Sequence, residues 1–129
     1  MIRTPRALPL AVVFTAGLAL GLVPALSARQ AAPKKAYLVV LADITDPAKY
    51  AEYAKLSPGI IAAHGGKYLA RAGKMEALEG PPFTGRVVVA EFPSYDAARA
   101  FYTSPEYTRA RALRAGAAEA RFVIVEGLE

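Results

Sequence analysis

One histidine, seven tyrosines and no cysteine set the chemistry open to this chain. His64 has the side chain of a general base, and imidazole is also an axial haem ligand. It stands directly before Gly65-Gly66, so the plainer reading is a helix-terminal histidine stabilised by the helix dipole. A single histidine excludes a conventional multi-histidine metal site. The missing thiols exclude disulfides, thiolate metal sites, a cysteine nucleophile and a lipoprotein anchor. Ser57, Ser94 and Ser104 sit beside prolines or at helix starts, with no base spaced to activate them, so serine-hydrolase chemistry fails. Gly65-Gly66 precedes a strand rather than a helix, which removes a phosphate-cradling loop.

Charges inside apolar stretches form the second group. Arg71, Arg86 and Glu91 fall within strand-like runs, and Asp43 ends another. A charge among apolar neighbours needs a partner or water. Arg71, Glu91 and Asp43 therefore either bound a polar spot in a ligand cleft or form an ion-pair network at a dimer seam. Tyr50, Tyr53, Tyr68, Tyr102 and Tyr107 read as an aromatic interface between helices and sheet, mostly core, with one or two hydroxyls open to a small ligand. The candidate cleft lies between the first helix and the sheet, near Tyr50, Tyr53, His64, Arg71 and Glu91. Such a cleft, mostly apolar with a few convergent polar groups, is the usual form of a small-molecule site. These residues call for no metal and no cofactor. Arg109, Arg111 and Arg114 are the only local basic cluster, and they read as a solvated helix face.

The elements that must position these residues follow from local signals. Tyr37 to Ala42 is an apolar run of strand length. Asp46-Pro47 starts a helix, with the carboxylate as cap and proline in the first turn. Pro58 predicts a kink or tightened turn in it, and His64-Gly65-Gly66 closes it. A second strand runs from Lys67 through Arg71, with a bulge or bend at Ala72-Gly73 and extended chain from Lys74 to Glu79. After the turns at Gly80-Pro81-Pro82 and Thr84-Gly85, Arg86 to Phe92 is the clearest strand. Ser94 caps a helix from Tyr95 to about Thr103, and Ser104-Pro105-Glu106 restarts one. Arg121 to Glu126 is the last strand.

The order is β-α-β-β-α-β. It predicts a ferredoxin-like α+β fold, a four-stranded antiparallel sheet with two helices on one face. Strands one and three are central in that topology, and both are apolar at nearly every position, so both of their faces should be buried. Two helices cover one face only. A second copy of the sheet is the economical cover for the other, which predicts a homodimer.

Residues 1–28 have the three parts of a secretory signal: Arg3 and Arg6, an apolar run from Leu8 to Val23, and a small-residue end at Ala25-Leu26-Ser27-Ala28. Residues 29–35 read as a linker and 36–129 as one domain. The expected location is periplasmic or secreted, with no membrane contact after cleavage; an uncleaved anchor is the alternative, because the run could just span a bilayer. Losing Arg3 and Arg6 with the leader takes two from the formal charge of +5, and three further cations lie in the linker. The domain is then close to neutral, which argues against nucleic acid as a partner.

The stretch from Tyr37 to Gly127 resembles the domain of unknown function 1330 family, within the dimeric α+β barrel superfamily. The resemblance is carried by Asp46-Pro47 with Tyr50 and Tyr53, by His64-Gly65-Gly66-Lys67-Tyr68-Leu69-Ala70-Arg71, and by Glu79-Gly80. It continues through Arg86-Val87-Val88-Val89, Glu91-Phe92-Pro93-Ser94 and Ser104-Pro105-Glu106-Tyr107. One departure is Ala72, where members usually carry glycine. The resemblance implies the fold and a dimer, and it implies no activity. The leading expectation is a dimer that binds a small, partly apolar molecule. The alternatives are a cofactor-free oxygenase- or isomerase-like enzyme, as elsewhere in the superfamily, and haem binding through His64.

Overall fold

The computed structural model describes residues 31–129 and, before them, only the isolated positions Ala7, Pro9, Ala11 and Gly17. The expected leader and the first residues of the linker lie outside this described region. The elements run β1 (Ala36–Ile44), α1 (Pro47–Ala63), β2 (Lys67–Arg71), β3 (Arg86–Phe92), α2 (Tyr95–Thr103), α3 (Pro105–Ala112) and β4 (Ala118–Glu126).

Each helix begins where a short polar side chain can take an unpaired backbone N–H. Asp46 accepts from the Lys49 amide at 3.1 Å, Ser94 from Ala97 at 3.0 Å, and Ser104 from Tyr107 at 3.1 Å. The Ser104-Pro105 step divides the second helical segment, so three helices stand on the sheet rather than two. At the end of α1, Gly65 takes a φ of 77°. A Cβ on Gly66 would lie 2.7 Å from both Ile61 Cγ2 and the Phe92 ring, so only glycine lets α1 turn this tightly onto β3.

Pro58 does not break α1, which runs unbroken from Pro47 to Ala63. Proline has no N–H to give the carbonyl four residues earlier, that of Ala54. Arg71 supplies the missing donor from β2, its Nη2 reaching the Ala54 oxygen at 3.2 Å.

The sheet is antiparallel, in the order β2-β3-β1-β4, with β1 and β3 central. Side chains alternate between its faces. Ala36, Leu38, Val40 and Ala42 from β1 and Val88, Ala90 and Phe92 from β3 are buried beneath the helices. Above them, Phe101 lies 5.4 Å from Phe92 and 4.3 Å from Tyr107, centroid to centroid, forming the aromatic centre of the core. The opposite face carries Val39, Leu41, Val87, Val89, Val123 and Val125. Among the described residues nothing covers it: Leu41, Val123 and Val125 are 38%, 47% and 50% exposed.

Two expectations about β2 need correction. Lys74 to Glu79 forms no strand, because Ala72 donates its amide to the Val87 carbonyl at 3.0 Å and then turns the chain off the ladder with a φ of 51°. The register irregularity sits earlier, between Tyr68 and Ala70. β4 also starts sooner than expected, with Ala118 opposite Ile44.

Candidate functional site

The bulge decides which side of the sheet Arg71 occupies. Tyr68 pairs with Ala90 on the helix side, and strict alternation would send Arg71 to the other face. The extra residue between Tyr68 and Ala70 places Ala70 opposite Val89 and Arg71 opposite Val88 instead. Arg71 therefore joins Tyr68 under α1, with its guanidinium 4.8 Å from that ring's centroid. Arg86 opens β3 on the same side, opposite the buried Ala42, and lies 5.3 Å from the centroid of Tyr50 on α1. Both are within cation–π range.

These residues enclose a cavity of about 30 Å³ between α1, β2 and β3, lined among others by Tyr50, Tyr53, Ser57, Tyr68, Arg71 and Arg86. It has room for a water molecule or two. The Ser57 hydroxyl faces that of Tyr68 across 3.4 Å. Outside, two wider hollows share Arg86 as a wall: one of about 270 Å³ against α1 at Pro47, Ala51 and Lys55, and one of about 290 Å³ against Ala72, Met75 and Thr84. A separate groove of about 400 Å³ runs between α2 and β4, past Tyr95, Arg99, Tyr102 and Phe122.

Of the five residues expected to share a cleft, Tyr50, Tyr53 and Arg71 meet at this cavity. His64 does not line it. Its Nδ1 donates to the Ile60 carbonyl at 2.9 Å, and its ring stands edge-on to Phe101. Glu91 is on the opposite face of the sheet, paired with Lys35 at 3.3 Å and Lys67 at 3.5 Å. Its carboxyl meets partial burial, which opposes ionisation, but the hydrogen bonds and charges of Lys35 and Lys67 outweigh this and hold it below the usual carboxylate range. Asp43 shares that face. The network of Arg71, Glu91 and Asp43 that the sequence suggested therefore does not form: a period of two and one bulge put Arg71 on the other side from the acids.

Behind the cavity is a pair that the sequence reading did not single out. Tyr53 and Tyr107 share a hydrogen bond of 2.8 Å between hydroxyls, deep between α1 and α3. Burial, first, and mutual repulsion push the Tyr53 phenol well above its ordinary range; burial also raises Tyr107, against the hydrogen bonds that favour its phenolate. Arg114 lies 5.1 Å from the Tyr53 ring and 4.8 Å from that of Phe122, with its Nε buried and without a partner. Burial disfavours its charge, but contacts with Tyr107 and Tyr53 hold it above the normal arginine range. Arg114 is thus no part of a solvated face, unlike Arg109, which pairs with Glu106 in the open. Helix α3 ends at Ala112, so the helical phase that kept Arg109 outward no longer applies two residues later. Tyr107 gave a signal in its helical spacing; Arg114 gave none.

Chemically, the cavity wall offers phenols, a serine hydroxyl and guanidinium groups. Neither a carboxylate nor the imidazole lines it. Such a set donates hydrogen bonds and favours negative charge; it is poorly suited to removing a proton from a guest.

A family model described as domain of unknown function (DUF1330) matches residues 35–128. The chain belongs to the DUF1330 family. Its fold has solved counterparts. A protein of unknown function from Rhodopseudomonas palustris is 24% identical, with a TM-score of 0.60 over 74% of this chain and 84% of that one. A dimeric ferredoxin-like protein of unknown function from Thermobifida fusca is 20% identical, with a TM-score of 0.54 over 74% and 92%. A cofactor-independent oxygenase from Streptomyces nogalater is 12% identical, also at 0.54, over 74% and 95%. At these identities the likeness is one of fold, the ferredoxin-like α+β fold. No curated protein matches the chain significantly. Among the described residues, no helix is long and apolar enough to cross a membrane.

Proposed function

We propose that this DUF1330 protein is an exported homodimer in which each subunit binds a small, partly apolar molecule between α1 and the sheet. The observation that carries the reading is the asymmetry of the sheet. One face is covered by three helices, leaving beside the water-sized cavity two hollows of about 270 and 290 Å³ at Arg86 and the groove between α2 and β4. The other is a bare apolar surface on the two central strands and β4. A face of this kind is an interface surface, and a copy of itself is the partner that supplies a matching flat, twisted, apolar sheet. Standard stable interfaces bury roughly 800 Å² on each partner. The dimeric ferredoxin-like protein of Thermobifida fusca supports a dimer of this fold. Export is supported by the charged start, apolar run and small-residue end of residues 1–28.

Binding rather than catalysis is supported by the side chains at the cavity, which hold cations and donors but no base. Sedimentation equilibrium of the exported protein tests the assembly: the expected mass is twice that of a chain shortened near Ser27 or Ala28. A folded monomer at micromolar concentration contradicts the dimer, and an intact Met1 contradicts the cleaved leader.

A further inference from the structure

We propose that the hollow between α1 and the start of β3 recognises an anion, and specifically a monocarboxylate with a small flat apolar body, held by Arg86. This deepens the binding role proposed above and rests on it. The first observation concerns partners. All eleven acidic residues of the chain lie within the described region, yet none pairs with Arg71 or Arg86. The ion pairs there join Lys35 and Lys67 to Glu91, Lys55 to Glu52 and Arg109 to Glu106. No acid lines the cavity or either of the hollows that flank Arg86.

The second observation is that both guanidinium groups are held in place. Arg86 lies over Tyr50 and Arg71 over Tyr68, and Arg71 is also fixed by its bond to the Ala54 carbonyl. The Arg86 side chain makes no hydrogen bond or ion pair among the described residues. A planar fork held on an aromatic face keeps its N–H edge free for a carboxylate and loses little entropy on pairing. Arg86 also stands on the core side of the sheet, next in alternation to Val88. A half-buried cation in that position is costly without a counter-charge, and the chain supplies none.

The surrounding surface narrows the ligand class. Ile44, Ala51 and Ala54 line the outer hollow with Tyr50. Apolar walls penalise a strongly hydrated dianion such as phosphate and favour a single charge joined to a hydrophobic body. The hollows are near the lower end of small-molecule site volumes, which suits one ring or a short branched chain.

Benzoate, benzyl alcohol and inorganic phosphate serve as probes on the full protein, read by titration calorimetry and by the arginine Nε–Hε resonances. Benzoate is expected to bind and to shift the Arg86 resonance; the other two are expected to bind at least tenfold more weakly. Arg86→Met should lose benzoate affinity tenfold or more, and Arg86→Lys should recover only part of it, because lysine lacks the fork. Should Arg86→Met fail to fold, the wild-type resonances still decide. Benzyl alcohol binding as tightly as benzoate overturns the anion assignment and leaves the apolar cleft standing. Phosphate binding as tightly overturns the monocarboxylate. Benzoate binding without shifting the Arg86 resonance overturns the site. Absence of binding by all three overturns this inference; an unrelated neutral compound found in the cleft would show that the broader binding role survives it.

Discussion

Arg71 and Pro58 are far apart in sequence but meet at one oxygen, and a double-mutant cycle reads that meeting directly. In the wild type, the Arg71 guanidinium replaces the amide donor that Pro58 cannot give to Ala54, at 3.2 Å, and also rests on Tyr68. A charged donor to a carbonyl contributes about 1.5–3 kcal/mol when buried. Arg71 is exposed, so about 1 kcal/mol is the fair figure after solvent screening, with about 0.5–1 kcal/mol more from the tyrosine face. Arg71→Met should therefore cost about 1.5–2 kcal/mol, roughly 6–16 °C in melting temperature for a domain of this size. Pro58→Ala returns an N–H to the helix and should stabilise by up to about 3 kcal/mol. In that background the carbonyl is already satisfied, so Arg71→Met should cost only the aromatic share, and the two changes should couple by about 1 kcal/mol. Urea unfolding of the four proteins at one fixed protein concentration measures the cycle, since a dimer's stability depends on concentration. Additivity within about 0.3 kcal/mol would refute the claim that Arg71 stands in for the missing helix donor.

Three further expectations are independent of that cycle. Val89 points to the bare face and Val88 into the helix-side core, so Val89→Lys should give a folded monomer by sedimentation, whereas Val88→Lys should lose cooperative unfolding; equal behaviour would contradict the assigned faces. Tyr53 and Tyr107 have folded pKa values raised above the ordinary 10.0. The unfolded chain therefore loses these protons first, and the stability from keeping both phenols neutral is complete below pH ~10 and lost as pH rises beyond it. Denaturation midpoints should fall steeply above that pH, and less steeply in Tyr53→Phe; identical slopes would argue against the buried pair. Ala72 is the non-glycine residue with positive φ in the described region, so Ala72→Gly should raise stability by about 0.5–1 kcal/mol in urea unfolding, and a loss would mean that the turn is not strained.

What could be read from the sequence depended on range. Asp46, Ser94 and Ser104 cap helices through atoms three residues away, so type and spacing were enough to find them. The strand order followed from counting elements, because β1 and β3 must be central in a βαββαβ sheet. The site needed longer-range information. Glu91 and Arg71 look like partners by their strands, but a single inserted residue near Leu69 turns Arg71 to the helix side and leaves Glu91 with two lysines. No local residue type marks that bulge; the Ala72-Gly73 step drew attention instead, three residues too late. Arg114 belonged to a basic cluster whose helical phase ends before it, and its packing between Tyr53 and Phe122 depends on where α1 and β4 come to rest. His64 was correctly placed as a helix end by its neighbouring glycines, and that same position keeps it from the cavity.

The most direct measurement of the central claim is native mass spectrometry of the protein after incubation with a small-molecule extract of its own cells. The expected spectrum is a dimer carrying up to two equal small adducts. Ala54→Trp, which fills the cavity wall beneath α1, should keep the dimer and lose the adducts. A bare dimer under every extract condition, or adducts that persist unchanged in Ala54→Trp, would contradict a ligand held between α1 and the sheet.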